Sequence, residues 1–152
     1  MSEQAIAEGI QDVVQTIAAF DDDSVVISDW GIMDSSLENA PYLRIDVSED
    51  MVHRQDAKSI TTTWYIPAML MVEYTDWDTS MIELRNRRQD IVDAFVGTNR
   101  SPGSDSNSYT DLKEIRTNSP VVLIYDHYVE KESDAEPIML GQELIFEVDE
   151  GD

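Results

Sequence analysis

The side chains that most often carry chemistry are scarce or scattered in this sequence. There is no cysteine, which excludes a thiolate nucleophile, a disulfide framework and thiolate-held metals or clusters. Two histidines remain, His53 and His127. His53 follows a strand beside Glu49 and Asp50, a setting without i, i+4 ligand geometry, and His127 sits in an alternating stretch; both read as ordinary surface or sheet residues. No G-x-S-x-G elbow, G-x-G-x-x-G turn or phosphate-cradling lysine loop occurs. Carboxylates are so abundant, 32 Asp plus Glu, that pairs at any spacing arise by chance, and a catalytic pair needs a cleft with two opposed environments. Asp21-Asp22-Asp23 offers the oxygen ligands a divalent cation prefers, but it reads better as a solvated helix terminus. Asp76, Asp78 and Ser80 imitate the opening of a calcium loop. The bidentate acid would then fall at Arg87 and the central glycine is missing, so a helix cap is the better reading. No catalytic, cofactor-binding or metal-binding set is expected, and the protein is not expected to be an enzyme.

Contact chemistry is better represented. Three of the seven arginines, Arg85, Arg87 and Arg88, fall within four positions of one helical stretch. They suit docking of an acidic neighbour, another copy of the chain included, through bidentate Arg–carboxylate geometry; the competing use is ion pairing along their own helix. Arg88 interrupts an apolar stripe, which predicts a buried guanidinium paired with a carboxylate in the sheet or across a subunit boundary. A second candidate contact is the face carrying Tyr65, Met69 and Met71, either core or a repackable interface. A third is the stretch GTNRSPGSDSNS at 97–108, which carries Arg100 and is long enough to reach a partner.

The elements that would position these residues follow from periodicity. Ile6, Ile10, Val13, Val14, Ile17 and Phe20 mark one face of a helix over 3–20, with Ser2 as N-cap and the acidic run 21–23 at its end. A short strand at 25–28 precedes a turn-rich stretch, then YLRIDV at 42–47 alternates as a half-buried strand. The strand at 60–74, ITTTWYIPAMLMVEY, is apolar on both faces, and Pro67 predicts an edge position or a bulge. A second helix at about 79–95 starts with Ser80 and Glu83 in capping-box spacing and stops before Gly97. VVLIYDHYV at 121–129 and PIMLGQELIFEV at 137–148 form a hairpin across the acidic turn EKESDA. The order α-β-β-β-α-β-β predicts an α+β fold, two amphipathic helices on a mainly antiparallel sheet, in one domain over 1–152 with a flexible loop at about 97–110 and an acidic C-terminal end.

The charge balance narrows the partners. Ten Lys plus Arg leave a net charge of −22, which repels phosphate at every approach and argues against nucleic-acid binding. Residues 1–43 carry nine acids and no base, and residues 130–152 nine acids and one lysine. Lysine is scarce, as in proteins kept dissolved in concentrated salt, where the Debye length falls to about 3 Å at 1 M and self-repulsion is screened. An acidic surface facing a DNA conduit would look the same. The opening MSEQAIAEG has no positive charge and the longest apolar run, YIPAMLMV, is far below the ~20 residues that span a bilayer, so a soluble protein is expected.

The helix AIAEGIQDVVQTI, the strand TTTWYIPAMLMVEY running into the helix MIELRNRRQDIVDAF, and the closing pair VVLIYDHYV and PIMLGQELIFEV together resemble the tail-terminator (tail-completion) proteins of long-tailed double-stranded DNA viruses. The resemblance is one of element order, length and texture over nearly the whole chain. It implies a structural virion protein, a ring of about six copies at the head-proximal end of the tail tube. Such a ring ends tube polymerisation and joins the tail to the head connector, with DNA only as passing cargo. The partners implied are the chain itself, the tube protein and the connector, with no membrane and no cofactor; the site would be the virion neck, assembled in the host cytoplasm. The acidic excess points to a salt-loving host. Three readings stay open beside it: a head-side connector or stopper, a tube subunit, and a non-catalytic binding module of a halophilic cytoplasm.

Overall fold

The computed structural model describes residues 3–29, 41–47, 62–96, 110–125 and 137–150. Ser2, His53, Arg100 with the 97–108 stretch, His127 and the EKESDA connection lie outside them. Six strands form one mixed sheet: β1 (Val25–Asp29), β2 (Tyr42–Val47), β3 (Thr62–Glu73), β4 (Thr110–Arg116), β5 (Val121–Ile124) and β6 (Met139–Glu150). Their order is β1-β2-β3-β6-β4, with β5 continuing the β4 edge along β6. All neighbours are antiparallel except β1 and β2, which run parallel. With helices α1 (Glu3–Val14) and α2 (Trp77–Val96) the fold is α+β, in the order expected, with one strand more than the sequence suggested.

The extra strand is β4. Leu112 and Ile115 both reach the main core although they are three residues apart, which strict alternation forbids. The register shifts between Leu112 and Glu114, so the bulge at Lys113 returns Ile115 to the core face.

Helix α1 buries Ile6, Ala7, Ile10, Val13 and Val14 and ends six residues earlier than 3–20. There the Thr16 hydroxyl donates to the Val13 carbonyl at 2.6 Å, and the amides of Thr16, Ile17 and Phe20 donate three residues back. These tight turns still bring Phe20 into the core. A single 3-10 turn, Asp22–Ser24, leads into β1.

Strand β3 is central, not an edge. It pairs with β6 without interruption from Thr62↔Glu150 to Glu73↔Met139, Pro67 included. On its other side the β2 register runs from Tyr42↔Met71 to Ile45↔Ala68 and stops one residue short of Pro67. Proline is tolerated because from that residue back to Thr62 the strand pairs, among the described residues, on the β6 side alone.

Helix α2 begins at Trp77, two residues before the sequence-based boundary, and its cap is Asp76 instead of Ser80. The Thr79 amide donates to Asp76 Oδ1 at 2.8 Å. Ser80, buried, instead ties helix to strand, accepting from the Thr75 amide and donating to the Glu73 carbonyl. Hydrogen bonds from the Thr79 amide and hydroxyl hold the Asp76 carboxyl below its ordinary range. Its folded pKa is depressed, so the stabilisation is present above the ordinary aspartate pKa and fades as pH falls through the lower folded value. The urea midpoint of Asp76→Asn, which keeps the acceptor but not the charge, should lie below that of the unaltered protein at pH 6 and converge with it near pH 2. A gap that stays constant with pH would refute the charged cap.

The two helices share one face of the sheet. Beneath them Leu43, Ile45, Ile66, Leu70, Leu140, Leu144 and Phe146 are fully buried, and the Phe95 ring meets Phe146 at 5.6 Å between centroids. On the other face a smaller cluster joins Tyr42, Met71 and Met139, with Met69 and Ile124 packed against it. A Cβ at Gly141 would lie 2.9 Å from Ile124 Cδ1 and 3.2 Å from Met69 Sδ, so glycine is what lets these side chains close over β6.

Candidate functional site

The arginines of α2 divide by geometry. Arg87 is held on its own helix, its Nε 3.3 Å from Asp90 and 3.7 Å from Glu83. Arg88 turns to the sheet and is half-buried where a buried guanidinium was expected, and its partner is not the expected carboxylate. Its Nη1 donates to Gln142 Oε1 on β6 at 2.8 Å. The Gln142 amide in turn donates to the carbonyls of Thr117 and Ser119, at 3.0 and 2.7 Å. A side chain here must accept from a guanidinium and donate to two carbonyls, which an amide can do and a carboxylate cannot. Arg85 is exposed. Among the described residues neither Arg85 nor Arg88 has a carboxylate within ion-pair distance.

Tyr65, Met69 and Met71 lie on the face away from the helices. Met71 is 1% exposed and belongs to the small second core, so it offers nothing to a partner in this conformation. Met69 and Tyr65 are half-buried. Arg116 of β4 stacks its guanidinium over the Tyr65 ring, 5.4 Å from the centroid, and pairs with Glu147 at 3.3 Å and Glu114 at 4.0 Å. Glu114 and Glu147 are direct cross-strand partners, a repulsive pairing that Arg116 offsets. Arg116→Ala should lower unfolding stability by about 1–2 kcal/mol, between an exposed and a buried pair because Arg116 is itself 44% exposed. An unchanged denaturant midpoint would show the bridge to be idle.

Sequence reasoning missed a second charged pair on this face. Arg44 and Asp46 of β2 are 8% and 3% exposed, with Arg44 Nε on Asp46 Oδ1 at 2.7 Å and Nη2 on Oδ2 at 3.2 Å. The alternation of YLRIDV had marked them only as the polar side of a half-buried strand.

Among the described residues, large apolar side chains that remain exposed fall in two places, Trp77 and Ile82 on α2, and Val122, Leu123 and Tyr125 on and just after β5. An open cleft of about 310 Å³ lies at the start of α2, lined by Pro41, Val72, Glu73, Thr75, Thr79, Ser80, Ile82 and Glu83. Among the described residues no group of three or more His, Asp or Glu converges as a metal site would require. No helix among them is long and apolar enough to cross a membrane. The acidic terminal segments are not neighbours in the sheet, since β3 separates β2 from β6. Comparison with protein-family models and with curated proteins returned no match.

Proposed function

We propose that this protein is a structural component of the virion of a long-tailed double-stranded DNA virus, a tail terminator. It would assemble into a ring at the head-proximal end of the tube, stop tube growth and join the tail to the connector. The observation that carries the reading is the exposed apolar edge of the sheet. Val122, Leu123 and Tyr125 are 41%, 38% and 46% exposed on or beside an edge strand, in a chain of net charge −22. Such an edge suits burial against protein. The element order supports the same reading, because, the added strand β4 apart, it is the order on which the resemblance rests. The net charge of −22 suits a conduit that DNA crosses without sticking, since phosphate finds few fixed cations. A head-side connector or a tube subunit would use the same features.

Light scattering at molar salt, with electron microscopy of the particles, tests the proposal. A ring of about six copies with a central hole is expected, and its stability should rise as salt is added from low ionic strength. A monomer at every salt and protein concentration would overturn it and favour a binding module instead, for which the cleft at the start of α2 is the place to look.

A further inference from the structure

The helix layer is narrower than the sheet it covers. Two helices, each about 10 Å across, span about four strands at roughly 4.8 Å spacing, and this sheet is five positions wide. Helix α1 packs on β1 and β2, and α2 on β3 and β6. The strip left over is the β4–β5 edge, where the helix-side residues Leu112, Ile115 and Val121 are only half-buried and Leu123 is exposed.

Among the described residues, the border of that strip is the one basic part of the helix layer without a carboxylate at ion-pair distance. Met81, Arg85, Arg88 and Val92 succeed one another at spacings of four, three and four, so they form one stripe along α2. The Arg88 bond to Gln142, and through it to Thr117 and Ser119, fixes this stripe on the side of the β4–β5 edge. Arg88 uses one of its five N–H groups in that bond, and Arg85 is exposed with no carboxylate at hand among the described residues. Two guanidiniums without a carboxylate at hand among the described residues leave room for an acid from elsewhere.

We infer that this groove between α2 and the β4–β5 edge receives helix α1 of a second copy of the chain, with the exposed acids Glu8 and Asp12 set against Arg85 and Arg88. The inference rests on the ring reading and names the two surfaces that would close the ring. Three observations favour α1 as the occupant. Glu8 and Asp12 stand at i, i+4 on its exposed side, a spacing that matches Arg85 and Arg88 at i, i+3. No base precedes Arg44, so α1 approaches as an unmixed acidic surface. Finally, α1 sits over the β1–β2 end of the sheet and the groove over the opposite end. One subunit therefore presents the two patches in different directions, as a head-to-tail contact requires.

A charge-swap series measured by mass photometry tests this, under the salt conditions in which the unaltered protein assembles. Arg85→Glu and Glu8→Arg should each raise the concentration for half-assembly by about tenfold or more, and the double variant should return it to within about threefold. Both positions are exposed, so circular dichroism and thermal unfolding should match the unaltered protein. Assembly of both single variants at unaltered concentrations would overturn the inference and leave the ring standing. Loss in both singles without recovery in the double would overturn α1 as the occupant. An unaltered protein that never assembles would overturn the ring reading itself.

Discussion

Replacing Asp46 by alanine should cost about 3 kcal/mol of unfolding free energy, among the largest effects expected of a single substitution in this chain. The reason is what stays behind. Arg44 is 8% exposed, and its guanidinium meets both oxygens of Asp46, at 2.7 and 3.2 Å, two residues along the same strand face. Removing the carboxylate takes two charge-assisted bonds from a buried guanidinium that keeps its proton at any pH the fold survives. Any water that takes over those two bonds does so at the expense of the packing around Tyr42 and Met71. The pair as a whole is a different matter, since taking two charges out of water offsets much of their attraction. Arg44→Met combined with Asp46→Leu should therefore cost clearly less than the two single changes added together, with a coupling of about 1–3 kcal/mol. Denaturant unfolding of the four proteins of the cycle decides it. Additive losses would mean that the two side chains are stabilised independently.

The same pair marks where reading the sequence ran out. Alternation identifies which residues of β2 share a face, and Leu43 and Ile45 do fall in the main core. It cannot say whether the opposite face is wet. Tyr42, Arg44 and Asp46 look like a solvated row, and only the three-dimensional structure reveals them buried. Strand β4 failed for a different reason. Period-two alternation is the signal for a strand, and the bulge at Lys113 breaks it inside a seven-residue segment, so Leu112 and Ile115 looked like neither a strand nor a helix. At Pro67 the local rule was sound but incomplete. The residue needs one unpaired side, and a central strand whose neighbour stops early supplies that as well as an edge does.

Where the reading worked, it rested on long periodic runs whose burial needs no knowledge of partners. The stripe of α1 is buried as expected, Leu84, Ile91 and Phe95 form the buried part of the apolar stripe that Arg88 interrupts, and β5 pairs with β6 in the antiparallel sense. The helix start needed finer information. Ser80 and Glu83 have the spacing of a capping box, and so do Asp76 and Thr79 have that of a simple cap one turn earlier. The choice was made by the Glu73 carbonyl, which takes the Ser80 hydroxyl and withdraws it from capping. For the candidate interface, composition isolated the arginine cluster. It could not divide the three, because that depends on which of Glu83, Asp90 and Gln142 each guanidinium reaches.

Gln142→Leu should cost about 2–4 kcal/mol, and its consequences extend past stability. The residue is 4% exposed and makes three hydrogen bonds, one accepted from the charged Arg88 and two donated to the carbonyls of Thr117 and Ser119. Leucine fills the same space, so no cavity term enters. The loss comes from one charge-assisted bond and two neutral ones, with the carbonyls half-shielded from water. Those carbonyls belong to the connection where the edge strand passes from β4 to β5, four residues set against the two of β6 between Gln142 and Ile145. Without the amide this connection loses the only side chain seen to hold its carbonyls among the described residues, and the exposed Val122 and Leu123 lose their fixed position. Gln142→Glu separates the two halves of the argument. It supplies Arg88 with the carboxylate its charge invites, yet turns two donated bonds into oxygen facing oxygen. If the bond to Arg88 dominated, this variant would be as stable as the unaltered protein or more so. If the connection dominates, as the geometry requires, it should be destabilised at neutral pH and recover part of the loss as pH falls and the new carboxyl gains a proton. Urea unfolding of both variants at pH 7 and pH 4.5 distinguishes these outcomes, and full stability of Gln142→Glu at pH 7 would refute the role assigned to the glutamine.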